Sequence, residues 1–373
     1  MPINDAIQIN YFLAPLAFLY GLGVRLRNQL FTWGILPAQQ YTLPIICVGN
    51  LSVGGTGKTP HTEYIVDVLR KQYRVAVLSR GYKRKTRGFI LADAESSCRE
   101  IGDEPFQMKQ KYPDVLVAVD ANRRRGIRCL QELPEAMRPE VIVLDDAFQH
   151  RYVTPSLSIV LTDLHRLFYA DRLVPVGRLR EPAEAIRRAD VVVVTKCEEG
   201  LKPIEFRIIE EDMNLLAHQE LFFTRIVYED IRPVFPNEAP QRRLKEVGKE
   251  EDILLISGIA SPQLFIRQVE TYSDKVVPLV FPDHHAFGKQ DMRKIKGVFD
   301  QLHSPGKFIL VTEKDAVRLV SHPLLPEEWK KVLYYLPIGI DFCAGKQTAF
   351  DQLIHKHIVT IQRNKILRLQ SYE

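Results

Sequence analysis

Val48-Gly49-Asn50-Leu51-Ser52-Val53-Gly54-Gly55-Thr56-Gly57-Lys58-Thr59-Pro60 is the stretch on which the reading of the fold turns. The apolar run Leu43-Pro44-Ile45-Ile46-Cys47-Val48 before it reads as a buried strand. The segment after it, His61 to Leu69, repeats its apolar residues at helical spacing. Strand, glycine-rich loop, Gly-Lys-Thr and helix together predict a phosphate-binding loop. Glycines let several backbone N–H groups converge on phosphate oxygens, and the helix adds the positive end of its dipole. Gly54, Gly55, Thr56, Gly57, Lys58 and Thr59 are the nucleotide-binding candidates, with Lys58 directed to the β- and γ-phosphates and the Thr59 hydroxyl to Mg²⁺. Ser52 stands where the usual pattern has its first glycine, so the loop looks like the shorter Gly-Gly-x-Gly-Lys-Thr variant. Val53 occupies the place where that variant often carries a second lysine.

Further short apolar runs follow, at 74–79, 115–119, 141–144, 157–163 and 189–196, alternating with helical segments. They predict a mainly parallel α/β sheet flanked by helices. Val141-Ile142-Val143-Leu144-Asp145-Asp146 reads as a Walker-B strand, with Asp145 and Asp146 delivered beside the loop as Mg²⁺ ligands. Basic residues follow two strand ends, at 80–87 and 123–125, where doubly wound sheets bind ligands; a solvated basic loop is the bland alternative. Gly102-Asp103-Glu104-Pro105 reads as a turn feeding a helix, with Asp103 as a cap. Thr195-Lys196 echoes a guanine-reading signature, but position 198 is Glu, so GTP specificity is not indicated.

A Pro- and charge-rich connector between 233 and 251 separates this series from a second α/β series beginning at Ile253. In that series Asp283-His284-His285 ends a strand; adjacent side chains on extended backbone point apart, which disfavours one shared metal and leaves an acid/base or orienting role open. The expected division is 1–28, 29–220 for the loop-bearing domain, 221–345 for a smaller α/β domain, and a C-terminal helix over 346–373. Tyr11 to Val24 is apolar and ends at Arg25 and Arg27. It is shorter than the roughly 20 residues a bilayer span needs, leaving a helix buried on the domain or an anchor lying in the membrane interface.

The chain has 373 residues with a net charge of +5, which is compatible with an anionic partner and does not call for nucleic acid. Its five cysteines are scattered without a C-x-x-C pair, arguing for a reducing compartment and against a disulfide framework or zinc site. No signal peptide is evident.

Taken in order, these motifs resemble the tetraacyldisaccharide 4'-kinase family, the lipid A 4'-kinases. The resemblance is carried by Val48 to Pro60, Ser79-Arg80-Gly81-Tyr82, Gly102-Asp103-Glu104-Pro105, Leu144 to Arg151, Pro175 to Pro182, Gly258-Ile259, Asp283-His284-His285 and Thr312-Glu313-Lys314-Asp315. It implies a P-loop kinase with a second, smaller α/β domain and an amphipathic membrane-associated N-terminal helix, acting at the cytoplasmic face of the inner membrane. The implied reaction moves the γ-phosphate of ATP, with Mg²⁺, to the 4'-hydroxyl of a lipid A disaccharide 1-phosphate. The resemblance further implies Asp103 as catalytic base, His284 as its partner, and Lys58 as a catalytic cation. Glu104 could share Mg²⁺ or base duties, and Arg80, Tyr82, Arg123, Gln149, His150, Arg180 and Glu181 match positions lining the substrate site. With Asp103 assigned to the loop-bearing half and His284 to the smaller domain, closure on ATP would assemble the pair. A monomer is expected. The rival reading is a nucleotide-dependent switch or maturation factor, which needs neither an apolar N-terminal helix nor a histidine at the site.

Overall fold

The computed structural model describes residues 11–283, 285–320 and 322–370. The strands run β1 (Ile45–Asn50), β2 (Val75–Ser79), β3 (Ile90–Leu91), β4 (Leu116–Val119), β5 (Val141–Asp145), β6 (Leu157–Asp163), β7 (Val191–Thr195), β8 (Glu220–Tyr228), β9 (Arg232–Pro233), β10 (Ile253–Ser257), β11 (Val276–Val280), β12 (Phe308–Thr312), β13 (Leu333–Leu336) and β14 (Ile338–Phe342). The α-helices are α1 (Ala14–Thr32), α2 (Lys58–Arg70), α3 (Cys98–Ile101), α4 (Asp103–Lys111), α5 (Arg123–Gln131), α6 (Pro203–Met213), α7 (Gln263–Glu270), α8 (Lys289–Asp300), α9 (Glu313–Val320) and α10 (Gln347–Gln370).

Two units emerge. The first takes the chain up to Ser96, then Met108–Ile226, then from Ile340 onward; the second takes Ser97–Gln107 and Val227–Gly339. The expected division is corrected in two places. Residues 97–107, with Asp103 and Glu104, group with the second unit and not with the loop-bearing one. The chain after Ile340, expected to be shared between the smaller domain and a separate tail helix, belongs to the first unit. Both corrections arise from long-range packing that no local pattern announces. Asp103 therefore shares a unit with residues 227–339, and pairing it with that segment does not require closure between units.

The first unit is built on a sheet of order β14-β8-β7-β6-β1-β5-β2-β4-β3. β1 lies between β5 and β6, parallel to both. Runs such as Ile45–Asn50 and Val191–Thr195 are buried along their whole length, as befits parallel strands covered on both faces. Ile127 and Leu130 of α5 and Ile209 and Met213 of α6 join the core cluster with Ile45, Cys47, Leu78 and Val192. α10 packs on this unit through Phe350, whose ring meets Phe222, Phe342 and Tyr64.

Register does the positioning. Val48 pairs with Asp145 across β1 and β5, so the Walker-B carboxylate stands beside the last stretch of strand before the loop, which leaves β1 after Asn50. Gly49 makes that approach possible: a Cβ there would lie 2.6 Å from Phe148 Cβ. Gly49→Ala is expected to cost about 1–3 kcal/mol by overpacking, read as a lower urea midpoint; an unchanged midpoint would contradict this account of the Gly49–Phe148 contact.

The second unit carries the sheet β11-β10-β12-β13-β9, parallel except for the β13–β9 pair. Period-two alternation divides it cleanly. Leu254, Ile256, Ile309 and Val311 face Ile295, Phe299, Leu319 and Trp329. Ile253, Leu255, Phe308 and Leu310 face Phe265 and Val269.

Candidate active site

The loop runs from β1 into α2 with Gly54 at φ +116° and Gly57 at φ +82°, backbone conformations that side chains with a Cβ rarely adopt. It is braced from outside by residues 178–180. Val53 N–H donates to Arg178 O and Arg180 N–H donates to Leu51 O, both at 2.7 Å. That strand-like pairing carries Arg180 across to the Walker-B end, where its Nη1 lies 3.1 Å from Asp146. Lys58 Nζ lies 3.7 Å from the same carboxylate. Asp146 thus accepts two cations, and its backbone sits at φ +46°. Asp145 is buried and accepts from Ser79 Oγ at 3.3 Å and Thr62 Oγ1 at 3.5 Å.

Gln149 joins this arrangement. Its Nε2 donates to Asn50 O at 2.7 Å, and Arg180 Nη1 lies 3.4 Å from its Oε1. Helix α1 reaches the same region, with Arg27 Nη2 donating to Gln149 O at 3.0 Å and Tyr20 Oη to Arg180 O at 2.7 Å. Arg80 and Tyr82 are exposed just beyond β2.

Two sequence candidates are buried among backbone and ion-pair partners. Arg123, 2% exposed, donates to the carbonyls of Asp120 and Asp145, so it holds the ends of β4 and β5. Glu181, 1% exposed, accepts from Arg188 and from Asn28 Nδ2 of α1. Nothing in the local sequence announces that burial; it comes from the tertiary structure.

His61 and His150 are held neutral. Burial pushes both rings down to about 4, with nearby Arg123 adding to the effect at His150. A histidine that ionises near 6.5 when unfolded and near 4 when folded binds fewer protons in the fold. The associated stability is present above about pH 6.5 and is lost as pH falls toward 4, up to about 3 kcal/mol for His61. Urea titrations at pH 7 and pH 5 should therefore show a drop that His61→Leu reduces by about one proton's slope; an unchanged slope in the variant would contradict it.

In the second unit Asp103 opens α4 as its first residue, directly after Gly102 at φ +94°; the cap expected there is one residue out of place. Arg318 Nε donates to Asp103 Oδ2 at 2.9 Å, and Arg318 Nη1 donates to Asp315 Oδ1 at 2.8 Å. Asp315 is fully buried, its other oxygen accepting from Gly258 N–H and Thr312 Oγ1 at 2.8 and 2.6 Å. A guanidinium so placed fixes where the carboxylate at position 103 points. Lys314 Nζ lies 2.5 Å from Glu104 Oε1. Burial works against the Lys314 charge, but Glu104 outweighs it and raises the ammonium's pKa. Glu104 thus stands in an ion pair of the second unit, and the Mg²⁺ role considered for it gains nothing from that pairing. His284 lies outside the described residues. Its neighbour His285 stacks on Phe281 and bonds Asp291 at 2.9 Å, which marks it as a loop-fastening residue.

Sequence reasoning missed Arg318 altogether, and took Lys314 and Asp315 only as part of a motif. The available signal was Thr312-Glu313-Lys314-Asp315 at a strand end, the same placement that drew attention to Asp145.

Strand, loop and helix arranged in this way define an α/β protein of the phosphate-binding-loop class. The family model for tetraacyldisaccharide-1-P 4'-kinase matches residues 9–359. A tetraacyldisaccharide 4'-kinase of Parabacteroides distasonis is 58% identical over 369 residues, covering 99% of this chain and 100% of that one. Its counterpart in Bacteroides fragilis is 49% identical, covering 97% and 96%. A crystal structure described as the "apo" form of LpxK from Aquifex aeolicus in complex with ATP superposes with a TM-score of 0.70 at 29% identity, covering 93% of this chain and 98% of that one. The chain belongs to the tetraacyldisaccharide-1-P 4'-kinase family.

Proposed function

We propose that this protein transfers the γ-phosphate of ATP to the 4'-hydroxyl of tetraacyldisaccharide 1-phosphate, yielding the 1,4'-bisphosphate of the lipid A pathway. The observation that carries the reading is family membership along nearly the whole chain, joined to a loop whose lysine stands beside a strand-end carboxylate.

In this reading the loop amides and the Lys58 ammonium cradle the triphosphate, and Lys58 follows charge onto the transferring group. Asp146 keeps the ammonium in place, and Arg180, paired with the same carboxylate, adds to the cationic lining. Oxygen donors suit Mg²⁺, and the Thr59 hydroxyl with the buried Asp145 carboxylate would hold it. When bound, that ion would neutralise phosphate charge. Asp103 accepts the proton that the sugar hydroxyl releases as the new ester forms; its carboxylate need only orient the alcohol and take the proton late. The role of His284 as its partner rests on the family resemblance alone. Arg80, Tyr82, Gln149 and His150 are assigned to the sugar phosphate and disaccharide, while Arg123 and Glu181 support the site from behind. Every group comes from one chain, and we take the enzyme to act as a monomer.

Helix α1 supports work at a lipid surface. No helix among the described residues is long and apolar enough to cross a membrane. Yet Phe12, Leu16, Phe18, Leu19 and Leu22 are more than half exposed, while Ala17, Gly21 and Phe31 are buried against the first unit. Arg25 is exposed on the same helix. An interfacial helix of this kind would bring the enzyme to acyl chains that stay in the bilayer, and we place it at the cytoplasmic face of the inner membrane. Wild type should sediment with vesicles containing anionic phospholipid, and Phe18→Glu with Leu22→Glu should weaken that binding at least about tenfold. Equal sedimentation of both proteins would argue against the placement.

Incubation with γ-labelled ATP and the disaccharide 1-phosphate in detergent micelles tests the activity. Label in the lipid supports it. ATP hydrolysis without labelled lipid would move the switch reading to the front.

A further inference from the structure

We infer that His61, assisted by Thr195, is a positioning residue of the phosphate loop, holding loop carbonyls so that the amides of Gly57 and Lys58 face the nucleotide. The inference rests on the ATP-binding reading above.

His61 lies in the first turn of α2 and is 2% exposed. Its ring points backward. Nδ1 is 2.7 Å from Gly57 O, and Nε2 is 2.9 Å from Thr224 Oγ1 on β8. A carbonyl oxygen only accepts, so Nδ1 carries the proton and Nε2 accepts from the Thr224 hydroxyl. The helix's own bond to the same carbonyl, from His61 N–H, is longer at 3.3 Å. The ring therefore makes the shorter bond to the residue that immediately precedes Lys58.

Peptide planarity carries that contact to the nucleotide. The Gly57 carbonyl and the Lys58 N–H belong to one trans peptide and point in opposite directions, so fixing the first fixes the second. Gly57 needs the help, because at φ +82° a glycine has the freedom to rotate that plane. The preceding peptide is treated the same way. Thr195 Oγ1, at the end of β7, lies 3.0 Å from Thr56 O, which orients the Gly57 N–H. Asn50 Nδ2 holds the Thr56 hydroxyl at 2.8 Å. Two successive amides at the start of α2, which have no partner within the helix, are thus aimed by side chains on the far side of their carbonyls.

The test uses the full chain with paired variants. His61→Leu removes the donor at similar size, while His61→Asn places an amide nitrogen where Nδ1 stood. Thr195→Val and Thr195→Ser form the second pair. Calorimetric binding of ADP and steady-state KM values for ATP and for the lipid acceptor are compared, with thermal melting as the check on folding. His61→Leu and Thr195→Val should weaken ADP binding and raise the ATP KM about tenfold or more, the size expected when aimed hydrogen bonds to a charged phosphate are lost. The lipid KM should stay within about twofold, and His61→Asn and Thr195→Ser should recover to within about threefold of wild type. Equal losses within each pair, unchanged ADP affinity, or a loss confined to the lipid KM would overturn the inference. Should His61→Leu not fold, the Thr195 pair decides. Wild type that binds ADP but labels no lipid would sink the kinase reading, while the ADP comparisons still decide the role of His61.

Discussion

Asp103→Ala is expected to lower kcat by about 10²–10⁴-fold while the KM for ATP moves less than about threefold. The carboxylate sits at the first position of α4, held by Arg318, which is itself tied to the buried Asp315. None of these groups belongs to the phosphate loop, so nucleotide binding should survive the substitution. Asp103→Asn keeps the shape and one oxygen but cannot accept the proton, and it should fall with the alanine variant. Arg318→Met separates orientation from chemistry. It leaves Asp315 buried without its cation, so a loss of stability of about 3–5 kcal/mol should accompany any loss of rate. A variant at position 103 with wild-type kcat would remove the base from this account.

Lys58→Met should cost about 10²–10³-fold in kcat/KM for ATP. In the proposed reaction its ammonium is the cation that the loop supplies to the phosphates, and it stands 3.7 Å from Asp146. Without it Asp146 still has Arg180 at 3.1 Å, so the carboxylate is not stranded and the fold should persist. Lys58→Arg should not rescue fully, because a planar fork cannot replace a compact charge at the mouth of a tight loop. Kinetics with γ-labelled ATP, alongside thermal melting, separate the two effects. An Lys58→Met enzyme within about threefold of wild type would contradict the role.

What the sequence made legible was local. Strand, glycines, lysine and helix lie within some thirty residues, and their reading as a phosphate loop needs no distant partner. Asp145 was legible because strand-end carboxylates announce themselves by the apolar run before them. The burial of Arg123 and Glu181 was illegible for the opposite reason: it depends on what packs over them, and Arg188, Asn28 and the ends of β4 and β5 come from four separate places in the chain. The grouping of 97–107 with the second unit was illegible for the same cause. His61 looked like an ordinary helix residue, since nothing in its spacing reveals that its ring reaches back to Gly57 and across to Thr224. The apolar N-terminal segment was read as either buried or interfacial; its helix buries Ala17, Gly21 and Phe31 and leaves Leu16, Phe18, Leu19 and Leu22 exposed.

The central claim is that phosphate moves to one particular hydroxyl of a lipid. Phosphorus NMR and mass spectrometry of the lipid recovered after incubation with ATP test it most directly. The account predicts a second phosphate monoester, at the 4' position, with the 1-phosphate resonance retained. Inorganic phosphate as the sole product, or a diphosphate built on the 1-phosphate, would contradict it.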